Sequence, residues 1–581
     1  MISFFKLFTR HLRLPLDRSP NGISFKKIMI FSRQLPSNKK RLLIYIISIG
    51  CLFLLSGITL ASNHFLVTVP VKGGVISEGI VGTPRFINPL LATSDADKDL
   101  VAIIYSGLLR PGKLEKFELD LAESYSISED GTIYTFHLKK NLFWHDGSPF
   151  SAKDVVFTTQ MAQDDRIKSP KRASWDGVIV EALDENTVKM TIRTPYAPFI
   201  ENTIMGILPE HLWRDIRPEE FALHVLNLKP VGTGPYKIKS IKNGSSGVPS
   251  SIELEAFKDF ALGTPNIDKI SLIFSATEDD VLKLRKYNDL LAISGISTET
   301  YNNLSASSTR IEKFKLPRIF GIFFNQNYSA ILADKSIRKA LELATPRSKL
   351  VELAMGGLAE IITSPLPVLS IDRPMENNPS VAEEVLDKAG WRKGADGIRS
   401  KKQKRLHLEI ATSDSPELKK VADILSMSWQ NIGVETVVKI YEPSDLNVNV
   451  IRPRKFDALL FGEGLGHFPD PYAFWHSSGR LDPGLNIAQY TNSRADRAME
   501  DIRASTEQKK RKDAYNIFLT EVQNDIPAIF LYSPQFVYLP NPNIKGLAIQ
   551  FLTGPSDRFN QVHKWYIKTE KIWPIFKTHN Q

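Results

Sequence analysis

The sequence predicts an α/β fold of two or three domains preceded by one apolar span, and three observations carry that prediction. Leu406, Leu408 and Ile410 alternate as a strand, a helix with one apolar face follows, and Val434 to Ile440 is the next strand. Such a strand–helix–strand unit implies a parallel pair with a right-handed crossover packed on a sheet. Tyr134 to Phe157 reads as strand, turn and capped helix, and the 581 residues exceed what one hydrophobic core usually supports.

The N-terminus accounts for the basic balance. Residues 1–41 hold ten Lys and Arg against one acid, Asp17, so nearly all of the formal charge of +10 lies there and the remainder is close to neutral. The positive charge belongs to a tail, and nothing in the folded part calls for a nucleic-acid partner. Residues 42–62 then run twenty-one positions without a charge. As a helix that length spans roughly 30 Å, a bilayer's hydrocarbon core. The cations before it predict a single-pass anchor in the plasma membrane, N-terminus cytoplasmic and the bulk of the chain outside. A cleavable signal ending near Ala61 is the competing reading. Cys51, the lone cysteine, lies inside the apolar run, so no intrachain disulfide is available. Residues 63–72 read as a linker, and Gly73-Gly74 opens the folded region.

A strand and a Pro-bounded loop lead to a helix near Ser94 to Ser106. Tyr134, Phe136 and Leu138 alternate as a half-buried strand; His145-Asp146-Gly147 is a turn, and Ser151 with Asp154 is a carboxylate variant of the capping box. Alone, Trp144-His145-Asp146-Gly147 also fits a metal or acid/base site. Ile179 to Ile192 is a hairpin turning at Asp184-Glu185-Asn186. Gly232-Thr233-Gly234-Pro235 lacks the Lys-Ser/Thr of a phosphate loop and reads as a backbone device. Asp334 starts a helix with Ile337, Ala340, Leu341 and Ala344 on one face. Ser380 and Glu383 form a capping box before Val385 and Leu386, with Gly390 as the stop. Ser415 caps, and Pro416 begins, the helix of the strand–helix–strand unit, buried through Leu418, Val421, Ala422, Leu425 and Trp429 and closed by Gly433. Asn243–Gly247 and Arg399–Arg405 look like exposed insertions.

Several tracts resemble one family. Residues 138–155, with Trp144-His145-Asp146-Gly147 and Pro149 to Asp154-Val155, are similar to a tract of the extracytoplasmic solute-binding proteins, family 5, which serve peptide and nickel uptake. Ile87-Asn88-Pro89, Ile104-Tyr105-Ser106-Gly107-Leu108, Gly232 to Tyr236, Ile337 to Leu341 and Leu386 to Trp391 match further tracts, so the resemblance spans roughly Gly73 to Tyr538. It implies a two-lobed periplasmic-binding-protein type II fold with an extra subdomain. Lobe I would be 73–115, 231–314 and 531–581, its subdomain 116–230, and lobe II 315–530, with 315–323 and 527–534 as the hinge strands. It further implies a monomer that captures a peptide-like solute, delivers it to ABC permease subunits, and needs neither catalysis nor a cofactor.

The site is expected beyond the carboxyl end of the Phe456–Phe461 strand, where residues 462–471 form an irregular, glycine-rich loop. Gly464 and Gly466 let main chain approach a ligand, while Phe468, Phe474 and Trp475 offer aromatic surface. Tyr105 stands at the start of the cleft in the resembled fold. Peptide binders of that family place an aspartate four positions before the proline of the Asp470-Pro471 motif, where it anchors the ligand's amino terminus. Here that position is His467, and a neutral imidazole supplies no fixed negative charge for an ammonium. Arg452 and Arg454 are candidates for a ligand carboxylate.

Three other readings stay open. A metal complex is one, with His467 and His476 nine apart and no third ligand evident. A receptor that signals without transport is another. The third is a hydrolase using Glu463 and Asp470, for a chain that lacks HExxH and GxSxG.

Overall fold

The computed structural model describes residues 66–573 except 246, 288–290, 306–309, 368, 370–376 and 550. Ahead of these it describes 36–38, 41–42, 44–46, 48–50, 52–54 and 56. The basic tail up to residue 35, Cys51 and Ala61 lie outside the described residues. From 37 to 56 the described residues are helical, with Leu42, Ile44, Ile49, Leu52 and Phe53 exposed. Among the described residues no helix is long and apolar enough to cross a membrane.

The chain divides into two compact units, Pro70–Lys568 and a smaller one reaching Val69 and resuming at Thr569. The smaller takes in most of a two-stranded sheet, Val67–Val71 with Lys568–Ile572. The stretch expected as a linker is therefore partly strand, because Val67, Val69 and Val71 are β-branched and find a partner.

The larger unit is organised by a twelve-stranded mixed sheet. Its central member, Ala528–Leu539, is shared by two halves. Residues 528–534 pair with Arg318–Phe324 and Ala359–Ile361, and residues 535–539 pair with Leu291–Ser294 and Glu312–Lys315. Outward from one half run Ala458–Gly464, His407–Ser413 and Glu435–Tyr441; outward from the other run Val75–Val81, Lys269–Ser275, Pro249–Ala256 and Tyr236–Asn243. The apolar clusters follow the same division. One runs from Ile76 to Phe274 and returns with Ile544 to Trp565, and two others lie wholly between Ile319 and Tyr532.

The strand–helix–strand unit forms as its pattern requires. His407–Ser413 is parallel to Glu435–Tyr441, and the intervening helix Pro416–Asn431 buries Leu418, Val421, Ala422, Leu425 and Trp429. Full burial of such side chains contributes roughly 1.5–3 kcal/mol each. Gly433 ends it at φ +89, left-handed backbone that glycine enters without strain. The Ser415 hydroxyl donates to Glu417 instead of capping.

Local corrections have local causes. The 379–388 helix starts at Pro379 with Asn378 as N-cap, accepting from the Val381 N–H at 3.1 Å, because proline suits the first helical position; the expected Ser380–Glu383 box does not form. Arg399 is not on an exposed insertion. It is 1 % exposed, bonded to Asp387 at 2.7 Å and to the carbonyls of Trp391 and Ile432. Gly244 and Gly247 lie at the turn of the Tyr236–Ala256 hairpin, where the Gly247 N–H donates to the Gly244 carbonyl at 3.0 Å.

A four-stranded antiparallel sheet, ordered Ala122–Ile127, Ile133–Leu138, Thr187–Thr191, Ile179–Asp184, packs with helix Ala152–Gln163. Asp154 accepts from the Ser151 N–H at 2.8 Å, as the capping box predicts, and from the Glu210 N–H at 3.0 Å. The adjoining Trp144–Gly147 tract is a docking turn. His145 Nδ1 accepts from the Gly232 N–H at 3.3 Å, which leaves Nε2–H to donate to the Gly234 carbonyl at 3.0 Å. Burial pulls this imidazole down to about 4, against the pull of the Gly234 carbonyl, so it is neutral. The glycines it holds lie on the end of helix Asp95–Ile104. A Cβ on Gly232 would stand 1.9 Å from the Ile104 carbonyl oxygen.

Candidate functional site

The loop after the Ala458–Gly464 strand reaches across to the half of the molecule built on Val75–Val81. The strand is longer than its sequence suggests, since Gly462, Glu463 and Gly464 pair with Phe320, Ile319 and Arg318, and the loop proper begins at Leu465. Glu201, at the other side, accepts from the N–H groups of His467 at 2.9 Å and Phe468 at 3.0 Å. Gly466 makes that approach possible, because a Cβ there would stand 2.5 Å from a Glu201 carboxylate oxygen. The Glu115 N–H donates to the His467 carbonyl at 3.2 Å, and the Glu115 carboxylate pairs with Arg511 at 3.0 Å.

His467 is 2 % exposed, its Nε2 3.3 Å from the Thr553 hydroxyl and 3.5 Å from Asp557. Because that hydroxyl donates to Asp557 at 2.8 Å, its lone pair is left to accept from His467 Nε2–H. Nδ1 has no hydrogen-bond partner among the described residues. Burial acts to raise the Asp557 carboxyl, but the bonds from His467 and Thr553 outweigh it and hold the carboxyl below its ordinary range.

Two cavities of about 310 Å³ each flank this loop. The first is lined by Tyr105, Lys98, Lys171, Glu201, His467 and Asp557, among others. The second shares Lys171 and Glu201 and takes in Gly464, Gly466, Phe468, Asp470 and Phe474. Seven of the eight expected residues thus meet at two adjoining spaces. Tyr105 is nearly enclosed, its hydroxyl donating to the Ile87 carbonyl at 3.4 Å. Asp470 is consumed locally, accepting from the Tyr472 N–H at 3.0 Å and from Arg503 at 2.6 Å, with the Tyr196 hydroxyl at 3.5 Å.

Trp475 is the correction. It lies in the core against Phe323, Tyr490, Phe518 and Phe530, because the short Tyr472–Trp475 helix turns that side chain inward. Arg454 is spent on the carbonyls of Ile451, Arg480 and Gly484, and Arg452 lies at 3.9 Å from Asp482. Glu463 is buried without a hydrogen-bond partner among the described residues, and burial raises its carboxyl well above the usual range. It lines neither cavity, whereas Asp470 faces the second. His476 pairs with Ser478 and Glu500, away from His467. Among the described residues no three His, Cys, Asp or Glu side chains converge as a metal site would need.

Glu201, Asp557, Thr553, Lys98 and Lys171 carried no sequence signal. They come from distant segments that meet only through the fold.

Residues 116–483 match the family model described as bacterial extracellular solute-binding proteins, family 5, middle region. The chain belongs to this family. The oligopeptide-binding protein AppA of Bacillus subtilis is 28% identical over 517 residues, 86% of this chain and 92% of AppA. The solved structure of AppA in complex with a nonapeptide aligns with a TM-score of 0.65 at 27% identity, covering 86% of this chain and 100% of that one. The ABC transporter substrate-binding protein CtaP of Listeria monocytogenes gives 0.71 at 26%, covering 85% and 99%. NikZ of Campylobacter jejuni, in complex with Ni(L-His), gives 0.65 at 25%, covering 85% and 99%. The fold is therefore the mixed α/β two-lobed type, as the sequence predicts, and the family is extracellular.

Proposed function

We propose that this chain is the membrane-anchored receptor of an ABC importer. On this reading it captures a peptide-like solute between its two lobes, as a monomer and without catalysis, and hands it to permease subunits. The observation that carries the proposal is the pair of cavities on either side of the 465–471 loop, joined through Lys171 and Glu201. Lobe I would comprise 73–115, 231–314 and 531–581 with subdomain 116–230, and lobe II 315–530. A guest contacting both lobes shifts the hinge equilibrium toward the closed form by its differential affinity. Residues 42–62 serve as the anchor, supported by the uncharged run and the exposed apolar side chains of its described part. Small-angle scattering of the full chain in detergent tests capture: a pool of synthetic peptides should compact it, and a radius of gyration indifferent to every peptide would end the proposal. Carbonate washing of membranes tests the anchor, which should resist extraction.

A metal complex is the second reading, favoured by the unpartnered, buried Nδ1 of His467. Nickel–histidine titration by calorimetry separates the two.

A further inference from the structure

We propose that the cavity beside helix Asp95–Ile104 holds an anionic group of the ligand, a carboxylate above all, between the ammonium groups of Lys98 and Lys171. The inference rests on the solute-capture reading and names the chemistry that site selects. The two lysines come from separate segments, one in the first turn of that helix and one just ahead of Arg172–Trp175, and both line the same cavity. Among the described residues neither ammonium lies within ion-pair distance of a carboxylate. Lys171 is exposed along its length yet crowded by protein, and that desolvation, followed by the repulsion of Lys98, lowers its pKa.

The neighbouring acids are already engaged. Asp97 accepts from the N–H groups of Arg85 and Phe86, Glu201 from those of His467 and Phe468, and Asp557 from those of Thr553 and Gly554. Of the other charged groups in the cavity, Arg110 is paired with Glu118, and Asp120 lies buried beside Arg110 and Lys139. Glu201 and Asp557 offset part of the Lys98 repulsion, but desolvation and that repulsion still outweigh them at Lys171, and an anion entering between the two ammonium groups relieves what is left. An imidazole in either form supplies no negative charge for an ammonium, and the Glu201 and Asp557 carboxylates are taken up by N–H groups, so the ligand's anionic end is the one this space selects.

The test uses the full chain in detergent and one pool of synthetic peptides, two to nine residues long, in four forms: uncapped, N-acetylated, C-amidated, and N-succinylated with a C-terminal amide. Native mass spectrometry reads retention, and calorimetry follows for the best-retained sequence in each form. Acetylation should leave affinity intact, amidation should weaken it at least 30-fold, and the succinyl group should restore it if any carboxylate suffices. Failure of the succinyl form alone would assign the carboxylate to the peptide C-terminus, still within the proposal. The Lys98→Gln/Lys171→Gln double variant should lose the preference, while Lys98→Arg/Lys171→Arg keeps it. Equal retention of all four forms by the native chain overturns the anion subsite and leaves capture standing; retention of none overturns capture itself, and the subsite with it.

Discussion

Replacing Gly466 by alanine should disable closure by displacing Glu201 from the loop it holds. The added Cβ would stand 2.5 and 2.7 Å from the two Glu201 carboxylate oxygens. That carboxylate sits at the end of a flexible side chain and can swing aside, but swinging aside removes the bonds it accepts from the N–H groups of His467 and Phe468. Hydrogen bonds to a charged group are worth about 1.5–3 kcal/mol each, so losing the pair costs the closed form at least about 3 kcal/mol. At 1.4 kcal/mol per factor of ten, that is a shift of about 100-fold in the open–closed ratio and in the apparent Kd of any ligand that needs the closed form. The molecule supplies its own control two residues away, since a Cβ on Gly464 meets nothing within 4 Å. Calorimetry on the ligand, with scattering for compaction, should find Gly464→Ala close to the native chain and Gly466→Ala about two orders of magnitude weaker. Indistinguishable variants would refute the idea that Glu201 fastens the loop.

Three further outcomes follow from buried groups. Arg558→Met leaves Glu78 and Asp99, now at 2.6 and 2.5 Å from the guanidinium and at most 2 % exposed, without their cation, and should lower stability by about 3–5 kcal/mol in urea unfolding. Gly232→Ala, with its Cβ 1.9 Å from the Ile104 oxygen, should cost about 3 kcal/mol through the forced shift of the helix end, read as a lowered Tm. His145, held neutral with its pKa pulled down to about 4, makes the fold acid-sensitive, because the unfolded chain gains a proton below its ordinary value of 6.5 and the folded chain does not. Its contribution is complete above pH 6.5 and lost as pH falls toward 4. The difference in urea midpoint between the native chain and His145→Gln should therefore shrink from pH 7.5 to pH 4.5, and a constant difference would contradict the assignment.

The elements that the sequence makes legible are those whose information is local. The Ser151–Asp154 box, the apolar face from Leu418 to Trp429 and the Gly433 stop are each written within a few residues, and each forms. Within the loop, Gly466 was legible as a place of close approach, although the approaching group, Glu201, stands 265 positions away and no periodicity announces it. Trp475 misled because an aromatic residue beside a glycine-rich loop fits a cleft and a core equally well; only its four ring neighbours decide. The Asp470-Pro471 motif places Asp470 at the site, but its ion pair with Arg503 has no local trace in the sequence. Side chains that pair across the cleft are set by how the two halves meet, which is information spread over the whole chain.

The strand Ala528–Leu539 sits in both halves of the sheet and adds side chains to four separate apolar clusters, through Ile529, Phe530, Val537 and Phe536 in turn. It also comes after residues 312–315 and 318–324 in the chain, the strands it joins. Until it arrives, neither half has its central partner, and residues 318–324 and 312–315 carry open hydrogen-bonding edges. A chain built this way keeps both halves of its sheet unfinished until residues 528–539 have been made.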